Sequence, residues 1–400
     1  MSSLGHSFNR LWSASLITNL ADGVVITAAP LLAVSLTTNP VLISALGAFV
    51  MLPWLLLAIP IGVFVDKFDR RYLIAGSNST RFLVAAAIAL SISTHTITIY
   101  WLFLATFIIG ICEVIADTSA QALIPQILDK SKYERGNSRL QISETIVQGF
   151  IGTPISGFLY AIAIYLPFIA NSLGYLVAAF LTLSIPHVVR VGLNVESKET
   201  FVDQMKFGVR YLYEQKNLLR LVLMTASISF FFALATSTQI LFVLKELHLS
   251  KPLFGIVLAI QGIGAVSGGF ITPKLSRRFG RERVLSSAIV LNSFLIFLQT
   301  FSPNIYFFTA LGTLSAFTIS NWNILLMATY QDNIPTQLYG RIHGTRRTLV
   351  WGVAPIGSIL GGVLAHNGLR VPLFVGGLCA TVIAISSINF LLRFAKIKVS

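Results

Sequence analysis

The sequence predicts an all-α membrane protein with twelve transmembrane helices in two pseudo-symmetric six-helix bundles, and three observations carry that reading. Apolar residues make up 55% of the 400-residue chain and charged residues only 11%, against a usual quarter, with a mean hydropathy of +0.79. Twelve apolar runs of about 20 residues are each long enough to cross a bilayer. Of the 29 Lys and Arg residues, 25 fall in alternate gaps between those runs, at the span ends that border those gaps, or at the two termini. By the positive-inside rule both termini face the cytoplasm. The net charge of +14 is therefore topological, because its basic residues are dispersed over seven short segments beside a membrane and build no nucleic-acid surface.

The spans are placed at 10–36, 41–65, 72–94, 99–122, 138–162, 164–186, 218–243, 253–273, 284–302, 304–329, 346–366 and 371–392. Span one is too long for a signal peptide, holds Asp22 and lacks a small-x-small cleavage site, so it is expected to stay as the first span. Asp22 falls near its middle, with Asn19 one turn earlier on the same face. Between spans two and three runs Gly62-Val-Phe-Val-Asp66-Lys67-Phe-Asp69-Arg70-Arg71, and about ten residues into span three stands Arg81. A buried guanidinium needs a carboxylate, which Asp22 or Glu113 can supply.

Span four carries Glu113 and Asp117, four apart and hence stacked on one helix face. Their repulsion favours protonation of one of the two. Glu144 comes two turns into span five, within reach of Arg135 or Arg139, and Pro154 with Gly152 and Gly157 is expected to kink that helix. Cys112 and Cys379 lie in separate spans and read as reduced thiols. After span six comes the longest hydrophilic stretch, residues 187–217, a cytoplasmic linker. Within it Val202, Met205, Val209 and Leu212 recur at helical spacing, as on an amphipathic helix.

Spans seven to twelve hold no interior carboxylate. Their polarity is neutral: Gln239, Gln261, Asn292, Gln299, Asn321 and Asn323, beside Trp322 and the Phe230-Phe231-Phe232 run. Of these, Gln239, Gln261, Asn321, Trp322 and Asn323, together with Asn19, are the candidate lining of a substrate cavity. The halves also echo each other. Gly269-Phe-Ile-Thr-Pro273-Lys274-Leu-Ser276-Arg277-Arg278 repeats the Gly, Lys, Arg, Arg spacing found after span two. Pro355 with Gly357 in span eleven repeats the small-Pro-Ile-small run of Pro154 in span five. The expected division is a bundle over 1–186, the linker over 187–217 and a second bundle over 218–400.

The Gly-x-x-x-Asp-Lys-x-x-Arg-Arg run, with its weaker copy in the second half of a twelve-span chain, resembles the loop signature of the major facilitator superfamily along essentially the whole sequence. Asn19-Leu-Ala-Asp22-Gly23, Ala122-Leu-Ile-Pro125 and Arg135-Gly-Asn137-Ser138 look more narrowly like its enterobactin-exporter and macrolide-efflux branch. Two departures stand out: Asp69 occupies a place where the superfamily loop usually has Gly, and span four lacks the Arg common in drug/proton antiporters. Physically, Gly62 permits close helix approach, Asp66 suits a helix N-terminus, and Arg70 and Arg71 suit carboxylates such as Asp117. Together these residues form a candidate cytoplasmic latch.

No phosphate-cradling loop or metal-spaced His pair occurs, and the chain is not expected to be an enzyme or to bind a cofactor. The expected function is secondary transport by alternating access in the plasma (inner) membrane, by a monomer, with a small-molecule substrate and the proton gradient as energy source. Export of an amphipathic drug, macrolide or siderophore fits best. Asp22, Glu113, Arg81 and Glu144 are the proton-coupling candidates, and Pro154, Gly157, Pro355 and Gly357 the hinges. The alternatives are a facilitator or importer of a small metabolite, a lipid flippase, and a transport-inactive membrane sensor or scaffold.

Overall fold

In the computed structural model the described residues are 4–129, 132, 136, 139–140, 147–148, 151–186, 210–334 and 339–394. They are helical almost throughout and include no strand. The helices, in chain order, are α1 (His6–Leu36), α2 (Pro40–Leu56), α3 (Ala58–Lys67), α4 (Arg70–Ser93), α5 (Ile99–Ile127), α6 (Thr153–Ile162) and α7 (Leu166–Leu183). After them come α8 (Lys216–Thr236), α9 (Lys251–Phe279), α10 (Arg281–Gln299), α11 (Ile305–Asn333), α12 (Tyr339–Gly352), α13 (Ala354–Leu364), α14 (Val371–Ser386) and α15 (Ile388–Phe394).

Among the described residues, eight helical segments are long and apolar enough to cross a membrane, nine if the bent α14–α15 pair is one span. The 29-residue α11 is not among them, because Ser315, Thr318, Ser320, Asn321 and Asn323 dilute its apolar character. Spans two, five, eleven and twelve are each interrupted, and the interruptions have chemical causes. Pro60 has no N–H to offer the Leu56 carbonyl, and the helix breaks at Leu57. Pro154 and Pro355 stand in the first turns of α6 and α13, after π-helical backbone at 151–152 and a break at Val353. At the 50° bend between α14 and α15 the Ser387 hydroxyl donates to the Ile383 carbonyl at 2.8 Å, a back-bond that bends helices.

The helices form two compact units. One comprises Met1–Thr37, Leu52–Phe201 and Lys251–Ala259, the other Thr38–Met51, Val202–Ser250 and Ile260–Ser400. Each borrows a short stretch from the opposite half of the sequence. In the first unit α4 packs on α5 and α7, and α1 on α7. In the second, α8 packs on α13 and α14, and α10 on α11 and α14, around a core that includes Leu221, Leu285, Trp322 and Tyr330. Leu212 joins that core, while Val202, Met205 and Val209 lie outside the described residues.

Asp69 turns out to be structural. Its carboxylate caps α4 by accepting from the Arg71 backbone N–H at 3.0 Å and pairs with the Arg71 guanidinium at 2.8 Å. Arg71 also donates to the Ile185 carbonyl at 2.7 Å, tying the start of α4 to the chain just past α7.

Candidate functional site

Three ionisable side chains of the first unit meet midway along three helices. Asp22 on α1, Arg81 on α4 and Tyr175 on α7 form one cluster. An Arg81 Nη2 N–H donates to Asp22 Oδ1 at 2.5 Å, and the Tyr175 hydroxyl donates to the same oxygen at 2.5 Å. The Arg81 guanidinium carbon lies 4.2 Å from the centroid of the Tyr175 ring, over its face. Arg81 keeps 2% of its side-chain surface exposed, and Asp22 13%.

Local sequence explains the geometry. Ala21, Ala85 and Tyr175 pack together, and the two alanines let α1 and α4 close on the tyrosine. Asn171 donates to the Ala21 carbonyl at 2.7 Å and Ser172 to the Phe82 carbonyl at 3.1 Å, fixing α7 against both neighbours. Next to Asp22, α1 crosses span five almost backbone to backbone. A Cβ on Gly23 would lie 2.1 Å from the Gln148 carbonyl oxygen, and one on Gly152 would lie 2.8 Å from Gly23 Cα. The crossing coincides with π-helical backbone at 147–148 and 151–152, irregularity of a kind that recurs at functional sites.

A buried pair of opposite charges is tolerable because each removes the other's desolvation penalty, so whatever alters one charge acts on the other. Glu113 and Asp117 on α5 lie within electrostatic range of the same guanidinium. The cluster therefore has one cation and three carboxylates from two helices with which to balance it. Both short bonds to Asp22 fall on Oδ1.

The other candidates are distributed differently. Glu144 lies outside the described residues, as do the surroundings of Gly62 and the side chains of Asp66 and Pro154. Arg70 is half-buried and Asp117 exposed. Asn19 donates along its own helix to Ser15 Oγ at 3.1 Å.

In the second unit Asn321 accepts from the Thr272 hydroxyl, Trp322 is 3% exposed in the apolar core, and Asn323 is exposed. Gln261 is half-buried, its amide against Gly312, where a Cβ would meet Nε2 at 2.2 Å. Gln239 reaches Gln299 at 3.4 Å, next to the group in which Arg370 pairs with Glu246 at 2.6 Å and donates to the Thr300 carbonyl. Gly157 approaches Gly255 within the first unit, and Gly357 approaches the Phe230 carbonyl within the second, so both proline-bearing spans are thinned where they cross a neighbour. Pro355 is buried there.

Sequence reasoning missed Tyr175, one of several hydroxyls in an otherwise apolar span, which looks like packing until its partner is known. It also missed the backbone crossing at Gly23, although that glycine directly follows the carboxylate.

The family model described as transmembrane secretion effector matches residues 4–399. Macrolide efflux protein A of Streptococcus pyogenes is 19% identical over 376 residues, covering 90% of this chain and 89% of that protein. The staphyloferrin A transporter of Staphylococcus aureus is 24% identical over 323 residues, covering 79% and 78%. An MFS-type transporter of Bacillus subtilis is 25% identical over 278 residues, covering 67% of this chain and spanning 65% of its relative's length. Among solved structures, a nucleoside transporter superposes with a TM-score of 0.75 at 12% identity, covering 96% of this chain and all of that one. At that identity the likeness establishes the fold alone.

Proposed function

This chain belongs to the transmembrane secretion effector family of the major facilitator superfamily, and from that premise we propose that it exports an amphipathic small molecule in exchange for protons. The observation that carries the reading is the buried Asp22–Arg81–Tyr175 cluster beside the Gly23 crossing. Protonation of Asp22 removes the charge that balances Arg81. The guanidinium then turns to Glu113 or Asp117 on α5, and α1 loses its tie to α4. Because α1 meets span five through backbone alone at Gly23, a shift of α1 is passed on to that helix. Protons entering from outside supply about 2.3 kcal/mol per charge per 100 mV. The substrate class follows the relatives named for macrolide efflux and for staphyloferrin A transport.

The test uses purified protein in vesicles with an imposed pH gradient and a panel of macrolides, carboxylate siderophores and lipophilic cations. Gradient-driven movement of one class, lost in Asp22→Asn while substrate exchange without a gradient survives, is the expected result. Undiminished pH-driven transport by Asp22→Asn rules the proposal out.

A further inference from the structure

Away from that cluster, the second unit carries a surface groove of about 360 Å³ between α8 and the bend joining α14 to α15. Lys216, Leu219, Arg220, Leu223, Met224, Ser227, Ile383 and Ser387 line it. We propose that this groove binds one anionic phospholipid of the cytoplasmic leaflet, the phosphate held by Lys216 and Arg220 and an acyl chain lying along Leu219, Leu223 and Ile383.

Charge and residue order along α8 match such a lipid. Lys216 opens α8, Arg220 follows one turn later and Leu223 next, so the lining passes from cationic to apolar along the direction in which a headgroup gives way to its chain. By the basic-loop pattern, the start of α8 is at the cytoplasmic surface, whose anionic lipids attract such cations. Both cations are exposed, and among the described residues neither is paired with a carboxylate. The neighbouring Glu214 is taken by Arg210 at 2.9 Å.

Arg220 is held in place from below, its guanidinium carbon 4.7 Å from the Phe390 ring centroid on α15, and Phe390 stacks in turn on Phe394. A guanidinium seated by its face keeps its N–H donors at the edge, where a phosphate can take two of them. Ser387, at the 50° bend between α14 and α15, forms part of the groove wall opposite α8.

Native mass spectrometry of the full chain released from mixed micelles, with phosphatidylglycerol and phosphatidylcholine supplied at equal concentration, tests the proposal. The wild type is expected to retain one phosphatidylglycerol in preference to phosphatidylcholine. Lys216→Gln with Arg220→Gln should weaken that retention about 30-fold, about fivefold for each charge. Leu223→Ala, at a site 56% exposed, should weaken both lipids alike. Three results overturn the proposal: no preference in the wild type, an equal loss from Arg277→Gln on another basic loop, or full displacement of the lipid by millimolar inorganic phosphate.

Discussion

The two units bury polar chemistry in opposite ways. The first concentrates charge, with Asp22, Arg81 and Tyr175 joined across three helices and Glu113 and Asp117 nearby. The second joins its helices mainly through neutral groups, Thr272 to Asn321 between α9 and α11 and Asn292 to the Ser315 carbonyl at 2.9 Å and hydroxyl at 2.8 Å between α10 and α11, and its one buried cation among the described residues, Arg346, lies over the Tyr330 ring at 4.3 Å. Neutral pairs hold helices together at any pH within the physiological range. A buried ion pair holds them only while both charges persist. On the proposed reading, the proton-responsive element lies in the first unit, and the neutral seams of the second serve as scaffold.

Breaking the ion pair should give the largest effect. Arg81→Ala or Asp22→Ala alone leaves one buried charge without its partner, an outcome that costs about 3–5 kcal/mol. Each should depress the unfolding midpoint in micelles sharply. The double variant Asp22→Leu with Arg81→Met should recover most of that stability, because an apolar pair of similar volume is often neutral or better. It should recover none of the pH-driven transport. A double variant as unstable as the singles would mean that the pair's role is to position Tyr175 and not to balance charge.

Glycine seams give the next largest effect and appear in both units. A Cβ on Gly23 would sit 2.1 Å from the Gln148 carbonyl oxygen, and one on Gly264 would sit 2.0 Å from the Thr313 carbonyl oxygen. Gly23→Ala and Gly264→Ala should therefore each cost about 1–3 kcal/mol by forcing two backbones apart. The comparison predicts that they diverge in function: Gly23→Ala, beside Asp22, should alter the pH dependence of transport, whereas Gly264→Ala should lower its rate at every pH equally. Identical pH profiles would remove the reason for assigning the coupling to the first unit.

Much of this was legible in the sequence, for reasons that also mark where legibility ends. Hydropathy and basic-loop alternation reveal the spans because the bilayer dictates helix length and loop charge. Arg81 and Asp22 could be singled out since charge at that depth is costly wherever it occurs. Their shared hydrogen bond from Tyr175 could not, because one hydroxyl in an apolar span costs little and leaves no pattern. Asp69 appeared only as a departure from a family loop, although an Asp directly before Arg70-Arg71 and a helical run is what an N-cap looks like. Asn321 and Trp322 show the opposite failure. Adjacent polar and aromatic residues in a span are compatible with a cavity wall or an interhelical seam, and only the partner across the seam, Thr272, distinguishes the two.

That seam gives the smallest and most discriminating effect. Thr272→Val keeps the shape of the side chain but removes the hydroxyl that donates to Asn321 Oδ1. Both residues are at least 97% buried, so no bulk water reaches the abandoned oxygen. In water-soluble proteins such a loss often exceeds 1 kcal/mol, but polar contacts between membrane helices average about 0.6 kcal/mol because the separated helices find other partners. The variant should therefore lower the unfolding midpoint slightly and leave transport and its pH dependence intact. If it abolished transport of one substrate class while leaving stability unchanged, Asn321 would belong to a binding surface, and the neutral network of the second unit would have to be read as recognition chemistry instead of scaffold.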